Sequence, residues 1–176
     1  MRDRGEETLE SKLKFLARRI RSLREERGLS LTELADKAGI SKSTLSLIES
    51  GKANPTISTI WAIADALGVS FGSLIDVEDV IEEGGVSVRL AERISGAEIY
   101  IMRFRPESVR KARPHTKGVK EHVFVVEGSI LVGPVESPKL VRRWETYEFE
   151  GDVPHIYVSL DSPSLAVVVV DYGVRG

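Results

Sequence analysis

The sequence has no cysteine, no long apolar run and almost no net charge, and each shortage excludes a class of protein. Without a cysteine among its 176 residues, the chain has neither disulfides nor thiolate metal sites. No stretch approaches the roughly 20 apolar residues of a membrane span, and the charged N-terminus lacks a signal-peptide core. We therefore expect a cytoplasmic protein with no membrane partner.

The formal net charge is only −2, which argues against promiscuous binding to nucleic acid. Residues 1–75 hold 12 Lys and Arg against 10 Asp and Glu, whereas residues 76–176 hold 13 against 17. The residue pattern also changes after residue 75, and the length suffices for two small domains. We predict a flexible tail at 1–11, a helical domain at 12–75, an acidic linker at 76–85 and a β-rich domain at 86–176.

The segment Leu31 to Ser50, LTELADKAGISKSTLSLIES, has the spacing of two short helices joined by a tight turn. Ser30 and Ser41 are suited to cap the two helices, and Gly39 permits the left-handed turn between them. Apolar residues occupy the positions expected to face inward, namely Leu34, Ala38, Ile40, Leu45 and Ile48. This is the pattern of a helix-turn-helix, whose second helix enters the major groove of DNA.

The packing of the second helix decides which side chains meet DNA. With Leu45 and Ile48 inward, Lys42 is placed to donate to guanine, and an exposed Leu47 suits a thymine methyl group. Thr44, Lys52 and Asn54 lie where a phosphate backbone would pass. The predicted DNA-binding residues are Ser30, Thr32, Ser41, Lys42, Ser43, Thr44, Ser46, Leu47, Lys52 and Asn54. The alternative is a small helical bundle with polar caps and no role in nucleic-acid binding.

Residues 13–75 resemble the XRE, or phage-repressor, class of helix-turn-helix proteins. The stretch GLSLTELADKAGISKSTLSLIESGKANPTISTIWAIADALGVSFGSLI matches that class nearly throughout. The resemblance implies five helices, of which the last is a short one near Phe71 to Leu74. It also implies a double-stranded DNA operator as the partner.

From Val86 onward, short β-rich runs alternate with turn residues, which predicts a sandwich or a barrel. His115, Lys117 and Glu121 share the same parity, so in an extended segment they point to one face. His155 follows the turn GDVP at the start of another strand.

Two segments of this domain resemble the motifs of the cupin family. HTKGVKEHVFVVEG matches the first motif with Lys117 in place of a histidine, and GDVPHIYVS is a shortened second motif with Ser159 in place of the usual asparagine. The resemblance implies a jelly-roll barrel whose pocket is lined by His115, Lys117, Glu121 and His155. Metal-binding cupins use three histidines and one glutamate, of which His115, Glu121 and His155 remain here.

Two histidines and a carboxylate can hold iron(II), manganese or zinc. An ammonium at Lys117 would instead repel a cation, pair with Glu121 or bind an anionic ligand. In the alternative, these residues have only a structural role: both histidines satisfy hydrogen bonds near strand ends, and Lys117 forms an ion pair with Glu121.

Together these features predict a multidomain α plus β protein, with an N-terminal five-helix helix-turn-helix domain and a C-terminal cupin-like β-barrel (jelly roll). We expect a sequence-specific transcriptional regulator, not an enzyme, that acts as a homodimer and senses a small molecule, with anions among the candidate effectors. It requires no cofactor, although a divalent metal is compatible with the residues. One alternative is a metal-dependent isomerase or dioxygenase with a DNA-binding head, and another is a β-domain that serves only to dimerise.

Overall fold

The computed structural model describes residues 9–75 and 80–173, which form two compact units that divide after Ile75. The first unit is helical. Its α-helices are α1 (Leu9–Glu26), α2 (Leu31–Ala38), α3 (Lys42–Glu49) and α4 (Ile57–Leu67), followed by a 3-10 turn at Phe71–Ser73. No helix among the described residues is long and apolar enough to cross a membrane.

The helices begin and end where the capping residues predict. Ser30 and Glu33 form a capping box, in which Glu33 N donates to the Ser30 hydroxyl and Ser30 N donates to the Glu33 carboxylate. Ser41 accepts a hydrogen bond from Thr44 N at 3.0 Å, and Gly39 ends α2 with a φ of 63°. The core of the unit comprises apolar side chains that are at most 8% exposed, among them Leu16, Ile20, Leu23, Leu34, Leu45, Ile48, Ile60, Ile63 and Leu67.

Two predictions for the helical unit are wrong. Helix α1 begins at Leu9, inside the expected tail, and an ion pair from Lys14 to Glu10 supports its first turn; residues 1–8 lie outside the described part of the chain. The expected fifth helix is only the 3-10 turn, because the segment is short and contains Gly72, a poor helix former.

The second unit consists of antiparallel strands. They are β1 (Val80–Glu83), β2 (Val86–Ile94), β3 (Ala97–Phe104), β4 (Val109–Ala112), β5 (Lys120–Glu127), β6 (Ser129–Pro134), β7 (Lys139–Arg142), β8 (Thr146–Glu150), β9 (His155–Ser159) and β10 (Ser164–Asp171). One sheet has the order β1-β2-β3-β10-β5-β8 and the other β4-β9-β6-β7. The sheets face each other, because Tyr157 of β9 contacts Phe104 of β3 and Glu121 of β5.

Burial alternates along the strands, with every second side chain of β9 and β10 directed into the space between the sheets. The expected cupin-like β-barrel (jelly roll) is corrected in one respect: among residues 80–173 the ladders form two separate sheets and do not close into a barrel.

The expected linker is also shorter than predicted. Residues 76–79 lie outside the described residues, but Val80–Glu83 forms strand β1 and pairs with β2. Gly84 and Gly85 connect the two strands with φ values of 59° and 81°, as a two-residue hairpin turn requires. Two of the acidic residues that suggested a linker, Glu82 and Glu83, lie on this edge strand, where charge discourages further strand pairing.

Candidate functional site

Helix α3 presents a polar face whose side chains are free to meet a DNA groove. Leu45 and Ile48 are 0% and 2% exposed, whereas Leu47, on the opposite face, is 47% exposed. Lys42, Ser43, Thr44 and Ser46 are also exposed. The structure therefore places these five predicted residues on the outward side of α3, which is the side that helix-turn-helix proteins insert into the major groove.

The hydroxyl groups at the start of α3 form a local network. Ser41 Oγ lies 2.8 Å from Ser43 Oγ and 2.7 Å from Thr44 Oγ1, and it also caps the helix. These side chains are thus held in one orientation at the N-terminus, where the backbone N–H groups and the helix dipole favour a phosphate. The predicted phosphate contact of Thr44 remains a prediction.

The other predicted DNA-binding residues surround α3. Ser30 and Thr32 are exposed at the start of α2, and Ser30 is already engaged in its capping box. Lys52 and Asn54 are exposed in the loop after α3, which is anchored by a hydrogen bond from Lys52 N to Leu47 O at 2.9 Å. All ten predicted DNA-binding residues are exposed, and no contact among the described residues assigns them to DNA.

Helix α3 is fixed by an ion pair that sequence reasoning missed. Arg24 donates from Nε and Nη2 to the two carboxylate oxygens of Glu49, at 2.7 and 2.9 Å, and from Nη1 to Leu29 O. Both side chains are nearly buried, at 11% and 7% exposure. Arg24 therefore orients α3 through its contact with Glu49. No spacing rule relates residues 25 positions apart, so this ion pair could not be predicted from the pattern along the chain.

Replacing Lys42 with alanine tests the base-reading role of α3. If Lys42 donates to a base, affinity for the preferred operator should fall by about 1 to 3 kcal/mol, with a smaller loss on unrelated DNA. Fluorescence anisotropy with both DNAs measures the difference, and Lys111→Ala, an exposed lysine of β4, is the charge-matched control. Equal weakening on both DNAs would show that Lys42 contacts phosphate only.

In the β unit, the structure brings His115, Glu121 and His155 together in a buried cluster, here called the triad. Their donor atoms all lie within 4.8 Å of one another. His115 Nε2 lies 2.7 Å from Glu121 Oε1, and His155 Nε2 lies 3.1 Å from the same oxygen. The three side chains are 4%, 1% and 0% exposed.

Local structure holds each member of the triad in place. Glu121 and His155 lie on facing strands, β5 and β9, and His115 precedes β5 in a loop that is pinned by a hydrogen bond from His115 N to Gly151 O at 2.9 Å. A Cβ at Gly151 would come within 3.1 Å of Glu121 Cγ and 3.2 Å of the His115 ring. A side chain at position 151 would therefore require Glu121 or His115 to shift by a few tenths of an ångström.

The tautomer of His155 is set by the backbone. Its Nδ1 lies 2.8 Å from Val153 O and must donate to it, so Nε2 of a neutral ring carries a lone pair. That buried Nε2 has no hydrogen-bond partner, although it faces the Glu121 carboxylate. A lone pair opposed to a carboxylate is unfavourable unless a proton or a metal ion lies between them.

Tyr157 completes the surroundings of Glu121 by donating its hydroxyl to Oε2. Burial raises the pKa of Glu121, but the close contacts of its carboxylate with the His115 and His155 rings lower that pKa more, so it lies well below its usual range. Burial, together with the Glu121 charge, raises the pKa of Tyr157 well above its ordinary value. The site therefore holds a carboxylate and a neutral phenol. The period of two from His155 along β9 could have identified Tyr157.

Lys117 does not belong to this site, and its predicted place in the pocket is wrong. It is exposed in the turn before β5, and the Glu121 carboxylate is occupied by the triad and Tyr157. The parity argument fails because residues 113–119 are not an extended strand. His115 reaches Glu121 through the loop geometry instead, so no lysine repels a cation there.

A cleft of about 680 Å³ lies next to the triad. Its walls include Phe149, whose ring centroid is 5.4 Å from that of His155, and Val153, whose carbonyl binds His155 Nδ1. Tyr147 and Pro154 add further apolar surface. The cleft has the mixed, mostly apolar character of small-molecule sites.

Known proteins agree with the arrangement of both units. The HTH_3 helix-turn-helix family matches residues 20–74. The HTH-type transcriptional regulator SutR of Escherichia coli (strain K12) is 31% identical over 159 residues, which cover 85% of this chain and 89% of that protein. The chain belongs to the HTH-type transcriptional regulators.

Other members of this family align along most of the chain. The HTH-type transcriptional regulator PuuR of Escherichia coli (strain K12) is 25% identical over 80% of this chain and 85% of its own. The crystal structure of an HTH_3 family transcriptional regulator from Vibrio cholerae covers 94% of this chain and 99% of its own, with 28% identity and a TM-score of 0.86. An HTH-type transcriptional regulator binds DNA through its helix-turn-helix, and the prediction of a DNA-binding regulator is confirmed.

Proposed function

We propose that the β unit makes this regulator responsive to a small ligand, which binds at a divalent metal held by His115, Glu121 and His155. The observation that carries this proposal is the buried Nε2 of His155. In a neutral ring this atom carries no proton, and yet it faces the Glu121 carboxylate. A cation between these groups would turn an unfavourable contact into a favourable one.

The donor set suits a metal ion. Two imidazole nitrogens and one carboxylate oxygen are ligands for iron(II), manganese or zinc, and they leave further coordination positions open. Such an ion would supply these positions to an oxygen or nitrogen of the bound ligand. The Val153 carbonyl that orients His155 has the usual role of an outer hydrogen-bond partner of a histidine ligand.

Elemental analysis of the full chain, purified without chelator, tests the metal site. We expect about one equivalent of iron, manganese or zinc per chain, since the triad can hold one ion. His155→Ala should lose the metal, and His122→Ala is the matched control because His122 is half-buried on the other side of β5. Metal-free wild-type protein that binds none of the three ions in titration would refute the site.

A metal that regulates must also change DNA binding. If the loaded and empty forms differ in their arrangement of the DNA-reading heads, operator affinity should change by about 5- to 150-fold, the usual range of allosteric coupling. Anisotropy with loaded and chelator-treated protein measures this change, and His155→Ala should behave as the empty form under both conditions. Equal affinities throughout would leave the metal without a regulatory role.

The same triad would also serve a metal-dependent isomerase or dioxygenase, the alternative that the sequence raised. Open coordination positions beside a cleft favour this alternative, whereas the family and the helix-turn-helix favour regulation. Regulation requires a ligand that is bound and released unchanged. Mass spectrometry of a ligand recovered after incubation with loaded protein separates the two functions.

We also infer that the regulator acts in the cytoplasm as a homodimer on a two-fold operator. One recognition helix reads only a few base pairs, while two copies read half-sites about 34 Å apart and multiply the selectivity. The β unit offers a surface for this pairing: half-buried apolar side chains on the outer side of three adjacent strands. This outer apolar face comprises Ile99, Ile101, Phe124, Val126, Val167 and Val169.

A further inference from the structure

Arg110 is a buried arginine in the β unit that neither the triad nor the DNA-binding surface uses. Along β4 the side chains alternate, so that Val109 and Lys111 are exposed while Arg110 and Ala112 point between the sheets. Arg110 is only 5% exposed and lies opposite Tyr157 of β9 in the strand register. Its guanidinium carbon is 5.5 Å from the centroid of the Tyr157 ring.

No negative charge in the described structure compensates Arg110. Across residues 9–75 and 80–173 the guanidinium makes no ion pair, and its buried Nε has no hydrogen-bond partner. The contact with the Tyr157 ring offsets only part of the lost hydration. An arginine is almost never buried without a counter-charge, because removing its hydration is costly. The arrangement is understandable if an anion is bound there.

A second polar group lies beside Arg110 in the same condition. Ser108 is 5% exposed, and its buried hydroxyl also has no hydrogen-bond partner. Ser159 N donates to Ser108 O at 3.0 Å, so the pairing between β4 and β9 extends to Ser108. Because Ser108 lies two residues before Arg110, the two side chains are on the same inward side. Two polar groups without hydrogen-bond partners, Arg110 Nε and Ser108 Oγ, therefore lie on the same inward side of the chain, two residues apart.

We infer that Arg110 and Ser108 bind the carboxylate of a small organic acid between the two sheets. The planar guanidinium matches the two oxygens of a carboxylate, and the serine hydroxyl adds one more donor. The Tyr157 and Phe104 rings, whose centroids are 6.3 Å apart, make these surroundings apolar. They favour a monoanion with a hydrocarbon part over a strongly hydrated phosphate.

Tyr157 also connects this carboxylate site with the triad. Its ring contacts Arg110, and its hydroxyl donates to Glu121. One ligand can thus place its carboxylate at Arg110 and direct a second polar group toward the triad. This last step rests on the proposed function, whereas the carboxylate site itself does not require a metal. In this carboxylate site, the buried Arg110 has the role of binding an anion that the sequence suggested for Lys117.

Thermal melting and calorimetric titration of the metal-free full chain test the carboxylate site. The probes are acetate and propionate, with acetamide and propionamide as neutral controls of the same shape and inorganic phosphate as a competing anion. Both carboxylates should bind and raise the melting temperature, while the amides should not. Arg110→Met should weaken acetate binding by about 30-fold, as expected for loss of charged hydrogen bonds. Ser108→Ala should weaken it about 5-fold, as for one neutral bond.

The stability of the unliganded variant separates a binding residue from a structural one. Removal of an uncompensated buried charge should leave the melting temperature of Arg110→Met equal to or above that of the wild type. Arg103→Met, an exposed arginine of β3, is the control and should keep wild-type acetate binding.

Equal binding of acetate and acetamide, binding of phosphate alone, or unaltered acetate affinity in Ser108→Ala would each overturn the inference. If Arg110→Met fails to fold, the Ser108→Ala titration decides. These measurements use metal-free protein. If the chain binds acetate but has no affinity for a metal, the proposed metal site is refuted and the proposed carboxylate site is retained.

Discussion

Replacement of Ala35 by tryptophan should unfold the helical unit and abolish DNA binding. Ala35 is 1% exposed on α2, which packs against both α3 and α4, so its methyl group sets how closely the helices approach. Its carbonyl also accepts the hydrogen bond from Ile40 N that closes the turn after α2. An indole at this position can be accommodated only by moving α2 away from the helices that it packs against.

The free energy of unfolding should fall by about 3 kcal/mol or more, at the upper end for overpacked cores. The total free energy of unfolding of a small helical unit is only slightly larger than this. Circular dichroism at the helical minimum should show a lower and broader melt. Asp36→Trp places the same side chain on the exposed neighbouring position of α2 and should melt as the wild type does. A wild-type melting curve for Ala35→Trp would contradict the packing argument.

The helix-turn-helix was predictable from sequence because its determinants are local. Ser30, Ser41 and Gly39 act within three or four residues of their own positions, and Leu45 and Ile48 repeat with the helical period. Failures occurred where a long-range contact decides. The Arg24–Glu49 ion pair joins α1 to α3, and no pattern along the chain relates the two residues.

In the β unit the grouping of His115, Glu121 and His155 was predictable from the sequence, and the surroundings of this cluster were less so. His115 and Glu121 do meet, but the reason is a loop held by Gly151, not the shared parity that also suggested Lys117. Arg110 gave no signal, because β4 is only four residues long and carries a second charged residue, Lys111, directly beside it. Which side of a short strand is buried depends on the facing sheet, which the sequence does not display.

The outer apolar face of the β unit provides the second large effect. Val167 lies at its centre, opposite Ile101 on β3 and Phe124 on β5. The side chains on the other side of β10, such as Val168, already fill the space between the sheets. An apolar patch that spans three strands is typical of a surface covered by another protein chain, and a second copy of this chain is the partner in the homodimer that we propose.

Val167→Lys should therefore convert the dimer to monomers and weaken operator binding by about 100-fold or more, because each monomer then pays separately for its half-site. Burial of an unpaired ammonium in an apolar interface costs several kcal/mol, whereas the same side chain is well solvated on a monomer. Light scattering after gel filtration measures the mass, and anisotropy measures DNA binding. Val109→Lys, on the outward side of β4, is the matched control and should stay dimeric. A dimeric Val167→Lys with wild-type affinity would place the dimer contact elsewhere, whereas a monomeric wild type that binds a two-fold operator tightly would remove the need for a dimer in solution.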